Sequence, residues 1–220
     1  MELSDGDETE YIFETYRKLV TETDANGNTI AYSYGKDGEG VNESYSYDNS
    51  GRLTGYTNDS VREGYTYDAE GARRSKKTGN TTTYFINDYT GSISLTLAET
   101  DESGSLTASY IRADELIGQV RGGQISYYLF DGHGDVRALV NEEGSLIDTY
   151  SYTAYGELIS RTGDTENHYL YTGEYYDGAS GLYYLRARYM NPGTGSFISM
   201  DSYTGSIYDP ASLHRYTYVK

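Results

Sequence analysis

A chain of 220 residues with 34 acidic and 17 basic side chains carries a net charge of −17 at neutral pH. Such a surface repels nucleic-acid phosphates and anionic membranes, and no run approaches the roughly 18 apolar residues of a membrane span. There is no cysteine, which excludes disulfides and thiolate chemistry. The low apolar content would suit a disordered chain, but disordered chains are poor in aromatics, and this one has 28 tyrosines against two prolines. The expectation is a folded protein whose core is built from tyrosine rings, each a large apolar body with one polar tip.

From the N-terminus, Met1-Glu2-Leu3-Ser4-Asp5-Gly6-Asp7-Glu8 is acidic and polar, the opposite of a signal peptide. That suits a cytosolic protein, or a fragment whose targeting signal lies upstream. A pattern then begins: two tyrosines at i and i+2, a turn closed by glycine, and a returning strand. Tyr11-Ile12-Phe13 through Leu19 is a loose copy with Arg17 in place of the glycine. Tyr45-Ser46-Tyr47-Asp48-Asn49-Ser50-Gly51-Arg52-Leu53 and Tyr65-Thr66-Tyr67-Asp68-Ala69-Glu70-Gly71-Ala72-Arg73 are the clearest copies, 20 residues apart. Tyr128 to Gly134 and Tyr150 to Leu158 are looser, and Asp24–Gly27, Asp101–Gly104 and Asn141–Gly144 repeat the turn without the tyrosine pair.

Each unit reads as a β-hairpin. Residues i and i+2 of a strand share a face, so Tyr65 and Tyr67 lie together. Asp68 can accept from its own backbone two residues on, and Gly71 supplies the left-handed residue that closes a type I turn with a bulge. A lone hairpin is marginal in water; a 20-residue period implies an array stabilised by neighbour contacts. The fold expected is all-β, a spiralling strip of antiparallel hairpins, because strands twist.

Residues 1–80 read as degenerate hairpin repeats and 81–125 as connecting hairpins, with strand-like runs at Ser92–Leu97 and Leu106–Ile111. Residues 126–203 are the densest in motifs, and 204–220 form a short C-terminal segment with a helical turn near Pro210–His214. Other candidates are weak. His133, His168 and His214 lack metal-ligand spacing. Asp5–Glu8 and Asp37–Gly40 do not match a calcium loop. No phosphate loop is present, and no cofactor or metal is expected. Arg73-Arg74-Ser75-Lys76-Lys77, the only basic run, reads as an exposed strand or turn.

The tyrosine–aspartate–glycine units resemble the YD repeats of the Rhs family. The stretch from Tyr127 resembles its repeat-associated core domain more specifically. The resemblance rests on Tyr128–Arg137, Tyr152–Leu158, Tyr171–Asp177, Gly181–Tyr189 and Asn191–Asp201, in that order. It implies a hollow shell of spiralling β-hairpins around a variable C-terminal region, often a toxin, in a parent protein that is secreted or surface-delivered. The implied partners are that C-terminal effector and the neighbouring shell repeats, with self-association through open sheet edges; nucleic acid and membrane are not expected. An adhesion or carbohydrate-binding module is the rival reading.

In some family members the core cuts its own chain with carboxylates near an arginine, in a motif Arg-Tyr-Tyr-Asp-Pro, Thr-Gly-Arg-Phe and a later Asp. Here the series is Arg188-Tyr189-Met190-Asn191-Pro192, Thr194-Gly195-Ser196-Phe197 and Asp201. Asn191 replaces the first carboxylate and Ser196 an arginine. By resemblance alone, Asp201 and Arg188 are the surviving catalytic candidates, but one carboxylate does not make an acid–base pair. The alternative is that they pair with each other within the wall.

Overall fold

The computed structural model describes residues 43–113 and 115–219 in full and, before them, the backbone of three strands, Tyr11–Glu14, Arg17–Thr23 and Thr29–Tyr34. The acidic stretches Asp5–Glu8 and Asp37–Gly40 and the turn Asp24–Gly27 lie outside the described residues. Fifteen antiparallel strands, from Tyr11–Glu14 to Leu158–Thr162, form one sheet in which every strand pairs with its neighbours in sequence. This long sheet runs through residues 81–125 without a break. After it, Tyr175–Asp177, Leu182–Leu185, Arg188–Asn191 and Ser196–Phe197 form a small four-stranded antiparallel sheet.

The turn chemistry repeats atom for atom. At Asp48, the Gly51 N–H donates to the main-chain oxygen at 2.8 Å, and the Asp48 N–H donates to the Arg52 carbonyl at 3.0 Å. Its carboxylate accepts from the Ser50 and Arg52 N–H groups at 2.9 and 3.0 Å. Asp68, Asp101, Asp131, Asn141 and Thr153 close their turns with the same two main-chain bonds. Each side chain also accepts from the N–H four residues on. The fourth residue of each turn is a glycine in the left-handed region, with φ from +75° at Gly51 to +90° at Gly156, where a side chain would be strained.

A bulge beside each tyrosine-pair turn has a consequence for packing. At Tyr47↔Leu53, Tyr67↔Arg73 and Phe130↔Val136 the register shifts by one. In these three hairpins the second residue after the glycine is buried, as Leu53, Arg73 and Val136, whereas after the same bulge at Tyr152↔Leu158 in the last hairpin Leu158 is exposed. The second aromatic of the pair stitches one hairpin to the previous one. The Tyr67 hydroxyl donates to the Leu53 carbonyl, and Tyr152 to the Val136 carbonyl at 2.8 Å.

The core is a field of tyrosine rings, including Tyr45, Tyr56, Tyr65, Tyr110, Tyr128 and Tyr150 from the long sheet. Acidic residues belong to this interior as well as to the surface: Glu63, Glu99, Asp135, Asp148 and Asp177 are buried. For Glu63 and Glu99 the partner is the polar tip of a ring. Glu63 shares a face with Tyr65 two residues on, and the Tyr65 hydroxyl donates to its carboxylate at 2.8 Å. The strand expected over Ser92–Leu97 begins only at Leu95, because pairing with the preceding strand ends at Asp88↔Leu95 and leaves Ser92–Ser94 without a partner strand. The turn near Pro210 is a 3-10 helix, Pro210–Leu213.

Candidate functional site

The basic run at residue 73 is where the two sheets lock together. It forms the strand Arg73–Thr78. The bulge turns Arg73 inward, and Lys76, opposite Tyr65, points inward too. The expectation of an exposed run therefore fails here: the Arg73 and Lys76 side chains are only 2% and 11% exposed, and Ser75 between them is buried too.

The small sheet is built to receive them. Tyr175 pairs with Tyr184, and Tyr184 with Tyr189, so three tyrosines form one row across three strands. Asp177, two residues after Tyr175, lies on the same face. The Arg73 guanidinium carbon sits 4.6 Å from the Tyr175 ring centre, 4.4 Å from Tyr184 and 4.5 Å from Phe85 of the long sheet. Its Nη1 donates to the Asp177 carboxylate and, at 3.1 Å, to the Tyr189 hydroxyl. The Arg73 backbone N–H donates to the Tyr184 hydroxyl at 2.9 Å. Lys76 Nζ bonds the other Asp177 oxygen at 2.9 Å.

Burial alone would push the Asp177 carboxyl up; Arg73 and Lys76 outweigh it and hold its pKa below the usual value. Burial would likewise favour a neutral Arg73, but Asp177 keeps it charged. A cation enclosed by aromatic faces and a fully desolvated carboxylate gains from both contacts. Replacing such a pair by apolar residues is often neutral, whereas removing one partner alone is costly.

Similar bonds extend along the seam. Arg121 bridges Glu99 at 3.1 Å and Glu166 at 3.0 Å. The His168 ring bonded to Glu166, together with Arg121, lowers the Glu166 pKa to about 2, although burial opposes it. The Tyr128 hydroxyl bonds Asn167 at 3.0 Å, and Tyr110 packs edge-on against Tyr169. Buried tyrosines are harder to ionise than free ones: burial, and then Glu43, push Tyr56 up to about 12.

The residues singled out by resemblance lie at the other side of the small sheet. Arg188 and Asp201 meet at 2.7 Å. The Arg188 guanidinium stacks on Phe197 at 3.6 Å and donates to the Arg215 carbonyl at 3.1 Å. Burial lowers the Arg188 pKa, and Asp201 partly restores it. The second Asp201 oxygen accepts from the Tyr203 N–H at 2.9 Å. Asn191 is a turn residue: its side-chain oxygen accepts from the Gly193 N–H at 2.9 Å, and its carbonyl from Thr194 and Gly195. His133 bonds Asp135 at 3.0 Å beside its turn. Among the described residues no cluster of three His, Cys, Asp or Glu suits a metal, and no helix is long and apolar enough to cross a membrane.

A strip of hairpins repeating one turn, capped by a tyrosine-rich small sheet, has known counterparts. Residues 9–220 match the Teneurin YD-shell family. The chain belongs to that family. This YD-shell chain is 34% identical over 203 residues to the tRNA3(Ser)-specific nuclease WapA of Bacillus spizizenii, covering 87% of this chain and 9% of that protein. It is 32% identical over 203 residues to the tRNA nuclease WapA of Bacillus subtilis strain 168, with 87% and 9% covered. In fold it is similar to part of the TcdB2–TccC3–Cdc42 crystal structure, with a TM-score of 0.61 at 16% identity, over 95% of this chain and 12% of that chain. The YD-shell chain thus spans about a tenth of the length of these relatives.

Arg73, Lys76 and Asp177 were the residues that motif reading passed over. A signal was present. Aligning the hairpin copies on their turn glycine places Arg73 in the column of Leu53 and Val136, a charged residue at a core position.

Proposed function

We propose that this chain is a wall segment of a container that encloses a C-terminal effector of a longer, secreted or surface-delivered protein. The observation that carries the reading is the unbroken, in-order pairing of fifteen strands. A strip of this kind grows by adding hairpins, and its last strand, Leu158–Thr162, pairs on one side only. Relatives about ten times longer leave room for further wall segments and for an effector. The curated relatives are named for tRNA nuclease activity, and in our reading that chemistry belongs to another part of such a protein. A wall with a net charge of −17 is a poor surface for RNA.

Within this reading Arg73, Lys76 and Asp177 are positioning residues that fix the small sheet to the strip. Arg188 and Asp201 form a second clasp, which ties the small sheet to the C-terminal segment, in place of a catalytic pair. The test uses the natural full-length protein. Its effector region should resist protease while the wall is intact and become digestible once the wall is opened by denaturant. Digestion of that region at the same rate in both states would overturn encapsulation.

A binding module is the second reading, favoured by the exposed Tyr203, Ile207, Tyr208 and Leu213 of the C-terminal segment. Binding to a glycan array that disappears in Tyr203→Ser/Tyr208→Ser would support it, and an array without signal would remove it.

A further inference from the structure

We propose that the outer face of the later strands of the long sheet is a docking surface for a second copy of this chain. Register defines the face. Ile111, Gly118, Tyr127, Val140 and Leu146 stand opposite one another across five neighbouring strands. Ile86, Ala98, Ser109, Val120 and Ile125 form the adjoining row, and Leu129 and Ala138 pair on the other side of the first. Residues paired across strands, and residues two apart on one strand, share a face. These side chains therefore lie together, on the side away from Tyr110, Tyr128 and Tyr150 of the core.

The face is apolar and uncovered. Ile86, Ile111, Leu129 and Leu146 are exposed. A Cβ on Gly118 would meet Tyr127 Cδ1 at 3.2 Å and Ile111 Cδ1 at 3.6 Å, so both side chains lean over the glycine and close the row. The earlier hairpins carry Ser46, Gly55, Gly64, Lys77 and Thr82 on the same face. The repeat itself does not demand an apolar outside, so this stretch marks an interaction surface.

Charge selects the occupant. The six strands from Leu106–Arg112 to Leu158–Thr162 contain one carboxylate, Asp148, which is buried on the opposite face. In a chain with 34 acidic residues and a net charge of −17, two copies repel across most of their surface. On this face they meet without a carboxylate between them. Its relief also suits a two-fold pair: Leu129 and Leu146 stand out, whereas Ala98, Gly118 and Ala138 lie low and buried, so each copy offers ridges to the other's hollows. At about 4.8 Å between strands and about 6.8 Å between alternate residues, the two rows with Leu129 and Ala138 cover on the order of 400 Å². Two such faces bury on the order of 800 Å² before side-chain relief is added, near the lower limit of a specific interface, so the dimer is a weak one.

The test is sedimentation velocity of this chain over a range of concentrations. A reversible dimer is expected, with a dissociation constant on the order of 1–100 µM. It should tighten as salt is raised, because salt screens the repulsion between two copies of charge −17 and spares the apolar contact. Leu129→Glu/Leu146→Glu places carboxylates in the face. Both side chains are exposed, so the variant monomer should melt like the parent, while its dimer should be about tenfold weaker or more. In the unsubstituted chain, hydroxyl-radical labelling of Leu129 and Leu146 should fall as concentration rises, while that of Met200, exposed after the small sheet, stays constant. A chain still monomeric at about 1 mM in high salt would overturn the proposal. So would a dimer unchanged in the variant, or labelling of Leu129 and Leu146 that ignores concentration; either would place the contact elsewhere, such as the open edge of Leu158–Thr162.

Discussion

The turns at Asp48 and Asp68 close neighbouring hairpins with the same hydrogen bonds, and the same bulge follows each. What they deliver to the interior differs: Leu53 in one hairpin and Arg73 in the next, both buried. Leu53 packs as any core leucine would, and its environment could be met by many apolar surfaces. Arg73 has far fewer partners that can satisfy it. It needs a carboxylate and a hydroxyl at hydrogen-bonding distance and ring faces above and below, and the small sheet offers all of these around Asp177. The repeat therefore builds the strip, and a departure from the repeat at Arg73 ties the small sheet to it.

Breaking the charged hairpin while leaving the apolar one intact is the strongest test of that contrast. Asp177→Ala leaves Arg73 and Lys76 buried without a carboxylate, and should cost about 3–5 kcal/mol in denaturant unfolding. Arg73→Leu, which restores the residue type of the neighbouring repeat, combined with Asp177→Asn should recover most of that loss; a double variant as unstable as Asp177→Ala would refute the comparison. The same contrast has a pH form. The Asp177 pKa is lower in the folded chain than in the unfolded one. Its contribution is therefore present above the unfolded value of about 3.9 and is lost as pH falls through the folded value. Melting temperatures from neutral pH into this acid range should fall less steeply in the double variant than in the parent chain.

A smaller effect separates turns that face solvent from turns beneath the small-sheet region. Gly51 and Gly156 have similar φ, +75° and +90°, but a Cβ on Gly51 meets nothing within 4 Å, whereas on Gly156 it would stand 2.6 Å from the Tyr171 ring. Gly51→Ala should cost about 1–2 kcal/mol, the conformational term alone. Gly156→Ala adds an overpacking term of about 1–3 kcal/mol, because Tyr171 must move. Equal costs in chemical denaturation would show that Tyr171 yields freely and that this turn is no more constrained than an open one.

The hairpins were legible because their determinants are local. Asp68 and Gly71 fix a turn within four residues, and Tyr65 and Tyr67 mark the buried face by their spacing. The pairing of Arg73 with Asp177 was not, because its two halves lie 104 residues apart. Simple alternation also misleads here: the bulge before Arg73 changes which residues of Arg73-Arg74-Ser75-Lys76-Lys77 face inward. Ser92–Leu97 was read as one strand from composition, but a strand lasts only as long as its partner, and that partner ends at Asp88. The buried acids escaped for a related reason. Glu63 and Glu99 are buried against a tyrosine hydroxyl, and Asp148 and Asp177 against arginines, whereas composition alone places carboxylates outside. Arg188 and Asp201 were found through their resemblance to a motif, and the structure brings them into one ion pair.

The smallest expected effect concerns that pair, and it sharpens the contrast between the two clasps of the small sheet. Asp177 is fully buried, whereas Asp201 is 37% and Arg188 20% exposed. Water screens the outer pair, and its loss is further softened because Arg188 keeps the Phe197 ring and the Arg215 carbonyl. Asp201→Asn should therefore lower stability by no more than about 1 kcal/mol. If the pair is a clasp, the intact mass of the natural full-length protein carrying Asp201→Asn should equal that of the parent apart from the substitution. A parent that arrives cut near this motif, and a variant that stays whole, would return Asp201 to catalysis; a cut unchanged in the variant would assign the chemistry to other residues and leave Asp201 in the clasp.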